Sequence, residues 1–421
     1  MEIKRVVITG LGALTPLGND VASTWSALIE GQSGAAPITA FDCSKFKTQF
    51  ACEVKNWDVS KVILDVKEQR KLERYHQLSV CSTEEAMRDA GFDREKEDSM
   101  RMGVIWGSGM GGLINLEQGF GDFITGDGTP RFSPFYIPKA LISMGAGWLS
   151  LFFDLKGPSF TVTTACSSSS HAIAQAFDYI RFGKADIMVT GGADANITYS
   201  GIGGFNSLHA ISTRNESPKT ASRPFSKSRD GFVLGEGSVT LILEEYEHAK
   251  TRGAKIYGEI VGAAMNSDAY HMTAPDPEGT GAARVMRMAL EDAAIIPDKV
   301  DYINTHGTST PLGDIAELKA IRNVFGEHVY QMNLDSTKSM TGHMIGAAGA
   351  MEAMACVLAL KHGIVPPTIN HDSEDEDENI DYRINFTFNK AQKRNMNYAI
   401  SNTFGFGGHN ACLVFKKFSN D

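Results

Sequence analysis

The chain has 421 residues, of which 42% are hydrophobic and 21% are charged, as is typical of a globular protein with one large domain or a duplicated one. Its formal net charge of −10 argues against a general nucleic-acid-binding function, because that function requires a basic face. The six cysteines form no C-x-x-C pair and have no zinc-finger spacing, so the sequence predicts no metal site and a reducing compartment.

The first residues, MEIKRVVITGLG, lack the pattern of a secretory signal peptide, because an acidic residue stands at position 2 and the apolar run is short. No uninterrupted apolar stretch approaches the roughly 18 to 20 residues that cross a bilayer. Together these features predict a cytoplasmic protein without a membrane segment.

Four short β-branched segments each end in a glycine-rich turn, which is the pattern of buried strands that run into loops. In chain order they are residues 5–12, 102–112, 185–194 and 300–314. No complete dinucleotide fingerprint follows the first of them, and the phosphate-binding motif G-x-x-x-x-G-K-[ST] does not occur, so we expect no nucleotide site.

Helical patterns lie between these strands. Residues 169–183 place Ile173 and Phe177 on one face, and residues 346–363 are small and apolar, as expected for a buried helix. Alternation of strands and helices predicts an α/β fold. The acidic run at 373–379 is interpreted as a solvated loop.

The strand–loop–helix pattern around Cys166 recurs around His343, which indicates two similar halves packed together. A charged helix at about 244–255 marks the join. We therefore predict an N-terminal half, residues 1–252, that carries the cysteine and a C-terminal half, residues 253–421, that carries the candidate histidines.

Cys166 lies in the segment TTACSSSSHAI, just before a predicted helix. The N-terminus of a helix carries partial positive charge and unpaired N–H groups, which favour a thiolate and lower the pKa of a thiol. The small neighbours Ala165 and Ser167 leave room for a substrate. Taken alone, Cys166 fits a buried structural cysteine equally well, whereas a metal-binding role is poorly supported.

A nucleophilic cysteine requires partner groups. His306 follows a predicted strand and His343 precedes a small-residue helix, each beside a glycine and hydroxyl side chains, and Lys338 lies five residues before His343. The two histidines are 37 residues apart, so only the fold can bring them together. The competing histidines are His171, His271 and His409.

The segment ISNTFGFGGHN, residues 400–410, combines glycines and asparagines with two phenylalanines. Such a loop can bring backbone N–H groups close to a ligand and can move. A tight structural turn is the alternative interpretation.

Taken together and in this order, four motifs resemble the β-ketoacyl-acyl-carrier-protein synthase family. They are TACS at 164–167, HGTSTPLGD at 306–314, KSMTGH at 338–343 and NTFGFGG at 402–408. The resemblance covers nearly the whole chain, and within the family it is strongest to the elongating enzymes of type II systems. The supporting stretches are KEQRKLERY at 67–75, GSGMGGL at 107–113, RPFSKSRDGFVLGEG at 223–237 and NSDAYHMTAP at 266–275.

The resemblance implies a thiolase fold, with a five-layered α-β-α-β-α core built from two similar halves, in a homodimer. It also implies a two-step reaction with acyl carrier protein as the partner. Cys166 would accept an acyl group as a thioester, and malonyl carrier protein would lose CO2 and attack that thioester. The product would be a 3-oxoacyl chain two carbons longer.

The resemblance also assigns the catalytic groups. His306 and His343 would donate Nε2–H to the enolate oxygen that decarboxylation creates. The backbone N–H groups of Cys166 and Phe404 would stabilise the oxyanion of acyl transfer, and Phe404 would act as a gate. Lys338 would hold His343 in place electrostatically, or would pair with Glu352 or another acid.

The remaining implied roles concern substrate and support. Thr308 and Thr310 would hydrogen-bond the pantetheine amides, and Met110 would gate a pocket for a medium or long saturated chain. Phe205 and Thr273 would also bind substrate. Asp314 and Glu317 would order the site, and Glu317 would help to hold a structural monovalent cation. No other cofactor is implied.

Carrier-protein docking requires a local basic patch on an acidic protein. The candidates implied by the resemblance are Lys67, Arg70, Lys71 and Arg131. His209 stands where an arginine is expected and Pro130 where another base is expected. His409 replaces a threonine that is commoner in the family.

Three alternatives remain at this point. A ketosynthase of a specialised polyketide or polyene pathway would use the same active-site chemistry. A chain-length-factor-like partner would lack the nucleophile, so Cys166 argues against it. A thiolase that uses coenzyme A would carry a second cysteine where this chain has His343 and Phe404.

Overall fold

A computed structural model describes residues 3–93 and 95–419 of the chain. Its strands are β1 (Val6–Leu14), β2 (Ala36–Pro37), β3 (Phe50–Ala51), β4 (Met102–Gly107), β5 (Ser159–Val162), β6 (Ile187–Asp194), β7 (Gly237–Glu245), β8 (Gly258–Ser267), β9 (Tyr302–Asn304), β10 (Asn333–Asp335), β11 (Ile364–Val365), β12 (Gln392–Lys393), β13 (Tyr398–Gly405) and β14 (His409–Lys416).

The α-helices are α1 (Val21–Ile29), α2 (Val66–Lys71), α3 (Arg74–Ala90), α4 (Leu113–Thr125), α5 (Tyr136–Ala140), α6 (Met144–Phe153), α7 (Ser168–Arg181), α8 (Tyr199–Ser207), α9 (Tyr246–Thr251), α10 (Thr280–Asp292), α11 (Pro311–Phe325), α12 (Lys338–Thr341) and α13 (Ala348–His362). The predicted strands at 5–12, 102–112, 185–194 and 300–314 are confirmed as β1, β4, β6 and β9. The predicted helices at 169–183 and 346–363 are confirmed as α7 and α13.

Ten strands form one continuous sheet in the order β10-β9-β13-β14-β8-β1-β7-β6-β4-β5. The strands of the C-terminal half occupy one side and those of the N-terminal half the other, joined where β1 pairs antiparallel with β8. Each half has the same strand order when counted outward from this join. The predicted boundary at residue 252 falls just after α9, between β7 and β8.

Helices cover the sheet in layers. α7 and α13 pack against each other and contact strands of both halves, which makes them the middle layer. α3 and α6 pack on β1, β4 and β5, whereas α10 packs on β8 and β14. This is the five-layered arrangement expected of a thiolase fold, and the predicted fold class is confirmed.

α13 lies at the centre of the protein, and every residue from Ala348 to Leu360 is buried. Within residues 3–93 and 95–419, Ile345–His362 is the one helical stretch long and apolar enough to cross a membrane, but 89% of it is buried inside the protein. Glu352 and Lys361 interrupt this stretch, so it does not contradict the prediction that no uninterrupted apolar run approaches such a length. Burial of this helix between two halves of a sheet explains its apolar composition.

The acidic run at 373–379 is not simply a solvated loop, so that interpretation is wrong for two of its residues. Asp375 accepts hydrogen bonds from the N–H and Oγ of Ser228, and Asp377 forms an ion pair of 2.8 Å with the buried Arg229. These contacts attach the acidic run to the segment that leads into the functional site.

Candidate functional site

The turn that presents Cys166 has an unusual backbone. Ala165 adopts a φ of +51°, which is strained for a residue with a Cβ, and residues 165–167 form a 3-10 turn that continues directly into α7. The turn places the thiol at the N-terminus of α7, at the bottom of a cavity of about 580 Å³. Backbone strain at a ligand-facing turn is typical of functional sites.

The fold brings His306 and His343 to Cys166. Nε2 of His343 lies 3.0 Å from the Cys166 sulfur, and the His306 ring stands edge-on to the His343 ring with centroids 5.5 Å apart. One possible ligand atom from each residue lies within 4.8 Å of the other two. Residues from both halves of the chain therefore converge on one point.

Burial raises the pKa of the Cys166 thiol to about 11, although Lys338 and hydrogen bonds from the N–H groups of Phe406 and Cys166 lower it. The prediction that the helix N-terminus lowers this pKa below its ordinary value is wrong, because removal of water from the sulfur has the larger effect. The resting residue is a thiol, and its proton must leave as the sulfur attacks.

Both histidines are neutral at physiological pH. Burial, with a contribution from the positive charge of Lys338, holds the pKa of His306 and of His343 well below the ordinary value. A neutral imidazole with its proton on Nε2 donates a hydrogen bond without requiring a negative partner in the resting state. This is the protonation state that an oxyanion-binding pair needs.

Lys338 forms a buried ion pair with Glu352 of α13, and the two side chains are only 2% and 1% exposed. Burial raises the pKa of Glu352 to about 7, against the opposing effect of Lys338. Glu352 was one of the partners expected for Lys338. The geometry makes Lys338 a source of positive potential beside the triad, and it is not among the described residues that line the cavity.

Glu317 fixes the loop that carries His306. Its two carboxylate oxygens accept hydrogen bonds from the N–H groups of His306 and Gly307, both at 2.8 Å. Burial raises the pKa of Glu317 to about 7. Glu317 therefore orders the site by holding the His306 backbone.

Asp314 has a comparable supporting position. It accepts a hydrogen bond of 2.9 Å from the N–H of Phe225 and lies 3.4 Å from the guanidinium of Arg229. Burial raises the pKa of Asp314 to about 6, whereas Arg229 lowers it. Arg229 also donates to the carbonyl oxygens of Thr310 and Pro311, and sequence reasoning did not identify it.

The glycine-rich loop lies over the nucleophile. The N–H group of Phe406 is among the influences that lower the pKa of the Cys166 thiol, and the donor role expected of Phe404 stays a prediction. Phe404 is still part of β13, where it pairs with Asn410, whereas Phe406 begins the turn after the strand. Phe404 lines the cavity, with its ring 5.8 Å from that of His306.

Ser167 ties both ends of this loop to the nucleophile turn. Its Oγ lies 2.7 Å from the carbonyl oxygen of His409 and 3.2 Å from that of Thr403, the residues on either side of the loop 404–408. The serine run that follows Cys166 thus has a structural use that the sequence did not reveal.

The predicted substrate residues all line the cavity. They are Met110, Phe205, Thr273, Thr308 and Thr310. The hydroxyls of Thr308 and Thr310 lie 3.0 Å apart. The competing histidines, His171, His271 and His409, do not belong to the described lining.

A buried carboxylate that sequence reasoning missed organises the floor of the cavity. Asp194 accepts hydrogen bonds from the N–H groups of Gly109, Met110 and Gly346. It therefore connects the Met110 turn with the turn before α13. Its signal in the sequence is the strand end VTGGAD, which resembles other strand ends too closely to stand out.

The predicted docking residues lie away from the cavity lining. Lys67, Arg70 and Lys71 share the short helix α2, where Lys71 is paired with Glu68. Arg131 pairs with Asp127 at 3.1 Å. Their part in docking stays a prediction.

Cys166, His306 and His343 are also donor types that zinc accepts. The Nε2 of His343 already engages the sulfur, and the triad opens into a cavity suited to an organic substrate. The arrangement can therefore carry acyl transfer with no contribution from a metal.

Comparison with known proteins gives a consistent result over the whole chain. The family described as "Beta-ketoacyl synthase, N-terminal domain" matches residues 3–249, and "Beta-ketoacyl synthase, C-terminal domain" matches residues 257–372. Proteins named "3-oxoacyl-[acyl-carrier-protein] synthase 2" from Coxiella burnetii and Vibrio harveyi are each 47% identical, with 99% of both chains covered.

Solved structures agree with these relatives. A beta-ketoacyl synthase from Burkholderia phymatum is 37% identical with a TM-score of 0.90, over 99% of this chain and 100% of that one. A ketosynthase of a type II polyketide synthase, in complex with its acyl-carrier protein, is 33% identical with a TM-score of 0.89 and the same coverage.

Replacement of Ser167 by alanine is expected to slow condensation about tenfold, because both ends of the glycine-rich loop lose their link to the nucleophile turn. The lost hydrogen bond is worth about 1 kcal/mol of folding stability. Ser169→Ala is the matched control, since its Oγ accepts from the N–H of Ala350 at 2.9 Å and does not touch the loop. Equal rates for the two variants in a steady-state assay would contradict this role.

The thermal midpoint of unfolding is expected to fall as the pH rises from about 7.5 to about 8.5. Burial raises the pKa of Glu73 to about 8 and that of Glu317 to about 7, so the folded protein retains protons that the unfolded chain has released. Histidines with a lowered pKa act in the opposite direction near pH 6.5, where the unfolded chain still binds part of their protons, and contribute little above about pH 7.5. Circular dichroism melts at several pH values measure this, and a rising midpoint would exclude it.

Proposed function

The chain belongs to the beta-ketoacyl synthase family, and from this we propose that it is a condensing acyltransferase of type II fatty acid synthesis. The predicted family, fold and enzyme class are confirmed by relatives that match over the full length. The observation that carries the proposal is the convergence of Cys166, His306 and His343 in one cavity.

The first half-reaction transfers an acyl group from carrier protein to Cys166. The sulfur attacks the thioester carbonyl, a new carbon–sulfur bond forms, and the pantetheine sulfur leaves with the proton that Cys166 loses. The N–H groups of Cys166 and Phe404 are the proposed donors to the oxyanion of this step, at the turn and the strand end that border the sulfur.

The second half-reaction uses malonyl carrier protein. Nε2–H groups of His306 and His343 bind the malonyl thioester oxygen and stabilise the enolate that remains after CO2 leaves. The enolate carbon then attacks the Cys166 thioester, the carbon–sulfur bond to Cys166 breaks, and the thiolate regains a proton. Both histidines are neutral and donate hydrogen bonds through Nε2–H. These hydrogen bonds strengthen as negative charge develops on the thioester oxygen.

The polyketide alternative shares this chemistry, and a polyketide ketosynthase is among the similar structures. Sequence identity favours fatty acid synthesis, since the relatives named 3-oxoacyl-[acyl-carrier-protein] synthase 2 are 45–47% identical and that ketosynthase is 33% identical. The presence of Cys166 speaks against a chain-length-factor-like role.

A structural monovalent cation is also part of the proposal. Glu317 is not its main ligand, because both of its carboxylate oxygens already accept hydrogen bonds from backbone N–H groups. Better support comes from buried oxygens without a hydrogen-bond partner on neighbouring strands, namely Asn304 Oδ1, Ser401 Oγ and Asn402 Oδ1. Asn304 and Ser401 are direct neighbours between β9 and β13. Oxygen donors of this kind suit a hard cation.

We place the protein in the cytoplasm, because its six cysteines are free thiols and its substrates are carried on a protein partner. We also place it in a homodimer. The edge strand β5 has an exposed Phe160, and the nearby helices expose Ile124, Ile137 and Leu151. An exposed sheet edge beside apolar side chains is typical of a subunit interface.

A homodimer has twice the subunit mass of 45.6 kDa, which light scattering after gel filtration measures directly. Phe160→Lys, at the centre of the exposed edge, is expected to shift the mass toward the monomer. A monomeric wild-type protein at micromolar concentration would contradict the proposed assembly.

The proposed function is tested by intact mass after mixing with acyl carrier proteins of several chain lengths. The wild type gains the mass of the acyl group, and Cys166→Ala gains none but retains malonyl decarboxylation. His343→Ala is expected to lose decarboxylation more than acylation, because its Nε2–H group serves the enolate. Equal loss of both half-reactions in the two variants would refute this division of roles.

A further inference from the structure

The mouth of the cavity determines where a carrier protein must rest, because the prosthetic arm has to reach Cys166 from that side. Leu208 and Leu312 line the cavity and are also 51% and 67% exposed, so they belong to its rim. His209, also exposed, stands beside them. No lysine or arginine occurs among the described residues of the lining, whereas Asp268 and Asp276 do.

Two lysines adjoin this rim on a loop that sequence reasoning did not consider. Lys45 and Lys47 are exposed, on the segment between β2 and β3. The loop is fixed in place, because the Nδ2 of Asn206 donates to Thr48 Oγ1 at 2.8 Å and the Nδ2 of Asn215 donates to the Lys47 carbonyl oxygen at 2.8 Å.

These anchors bring the loop next to the mouth. Asn206 is only two residues before Leu208 and three before His209. Beneath the loop, Phe46 packs in the same hydrophobic cluster as Phe205, whose ring lines the cavity. The lysines therefore project from the outer side of the cavity wall.

The charges of this loop are available for a partner. Among the described contacts, the ammonium groups of Lys45 and Lys47 form no ion pair. In the predicted docking set, Lys71 and Arg131 are paired with Glu68 and Asp127, whereas Lys67 and Arg70 have no ion pair among the described residues, so the feature that distinguishes the loop is its attachment beside the rim. On a protein with a net charge of −10, two unpaired lysines beside an apolar rim form a local site for an acidic partner.

We propose that the carrier protein docks on a surface made of Lys45, Lys47, Leu208 and Leu312. An acidic helix of the carrier lies against the two lysines, and apolar residues of the same helix cover the two leucines. The lysines supply the attraction that an arginine at position 209 would otherwise provide. This inference rests on the proposed function, since it concerns the partner of that reaction.

The test compares a carrier-bound substrate with a small one. Lys45→Glu/Lys47→Glu is expected to raise KM for acyl carrier protein about tenfold at low ionic strength, and less at high salt, because exposed charges are screened. The same variant should acylate Cys166 from an acyl-N-acetylcysteamine thioester at the wild-type rate, because this small thioester needs no docking surface. Lys299→Glu/Lys390→Glu is the matched control, with the same charge change on exposed lysines outside the cavity lining.

Three results would overturn the proposal: an unchanged KM for acyl carrier protein, an equal loss with the small thioester, or an equal loss in the control variant. A loss seen only on charge reversal at Lys67, Arg70 and Lys71 would assign docking to α2 instead. Failure of the proposed function is recognised separately, because wild-type protein would then accept an acyl group from neither substrate, and the docking inference would fall with it.

Discussion

The buried ion pair between Lys338 and Glu352 is the constraint on which the catalytic centre depends. An ammonium group that is only 2% exposed cannot be left without a partner, so α12 and α13 must meet where these side chains meet. His343 lies between Lys338 and Glu352 in the chain, so the ion pair between these two residues also restricts the position of His343. The positive potential of Lys338 then helps to keep both histidines neutral and opposes the effect of burial on the Cys166 thiol. This pair of charges thus fixes the geometry of the centre and contributes to its protonation, for which burial is the larger cause.

The site also depends on the way in which the two halves combine. The N-terminal half contributes the nucleophile at the start of α7, and the C-terminal half contributes both histidines and the start of α13. The turns before these helices share an unusual backbone, with a φ of +51° at Ala165 and +49° at Ile345. Asp194 joins the turn before α13 to the Met110 turn by accepting from the N–H groups of Gly346 and Met110. Equivalent turns have therefore acquired different chemistry in the two halves.

Most of the fold and the identity of the triad could be predicted from the sequence, because strands that end in glycine-rich turns and four ordered motifs are local features. What failed depended on contacts distant in sequence or on burial. The pKa of Cys166 depends on how much water the fold removes, and the acidic run is held by partners 147 and 148 residues away. The end of β13 at Gly405 could not be predicted either, because a repeated Phe-Gly sequence leaves that end undefined.

The link from Ser167 to both Thr403 and His409 closes the glycine-rich loop into a ring. The single O–H group of Ser167 is shared between the two carbonyl oxygens, with the shorter distance to His409, and the pairing of β13 with β14 also fixes the span of the loop. Its freedom is rotational and lies in Gly407 and Gly408, both in the left-handed region of backbone space. Any rearrangement of this loop over the cavity is therefore expected at these two glycines, while the strands that carry the loop stay paired.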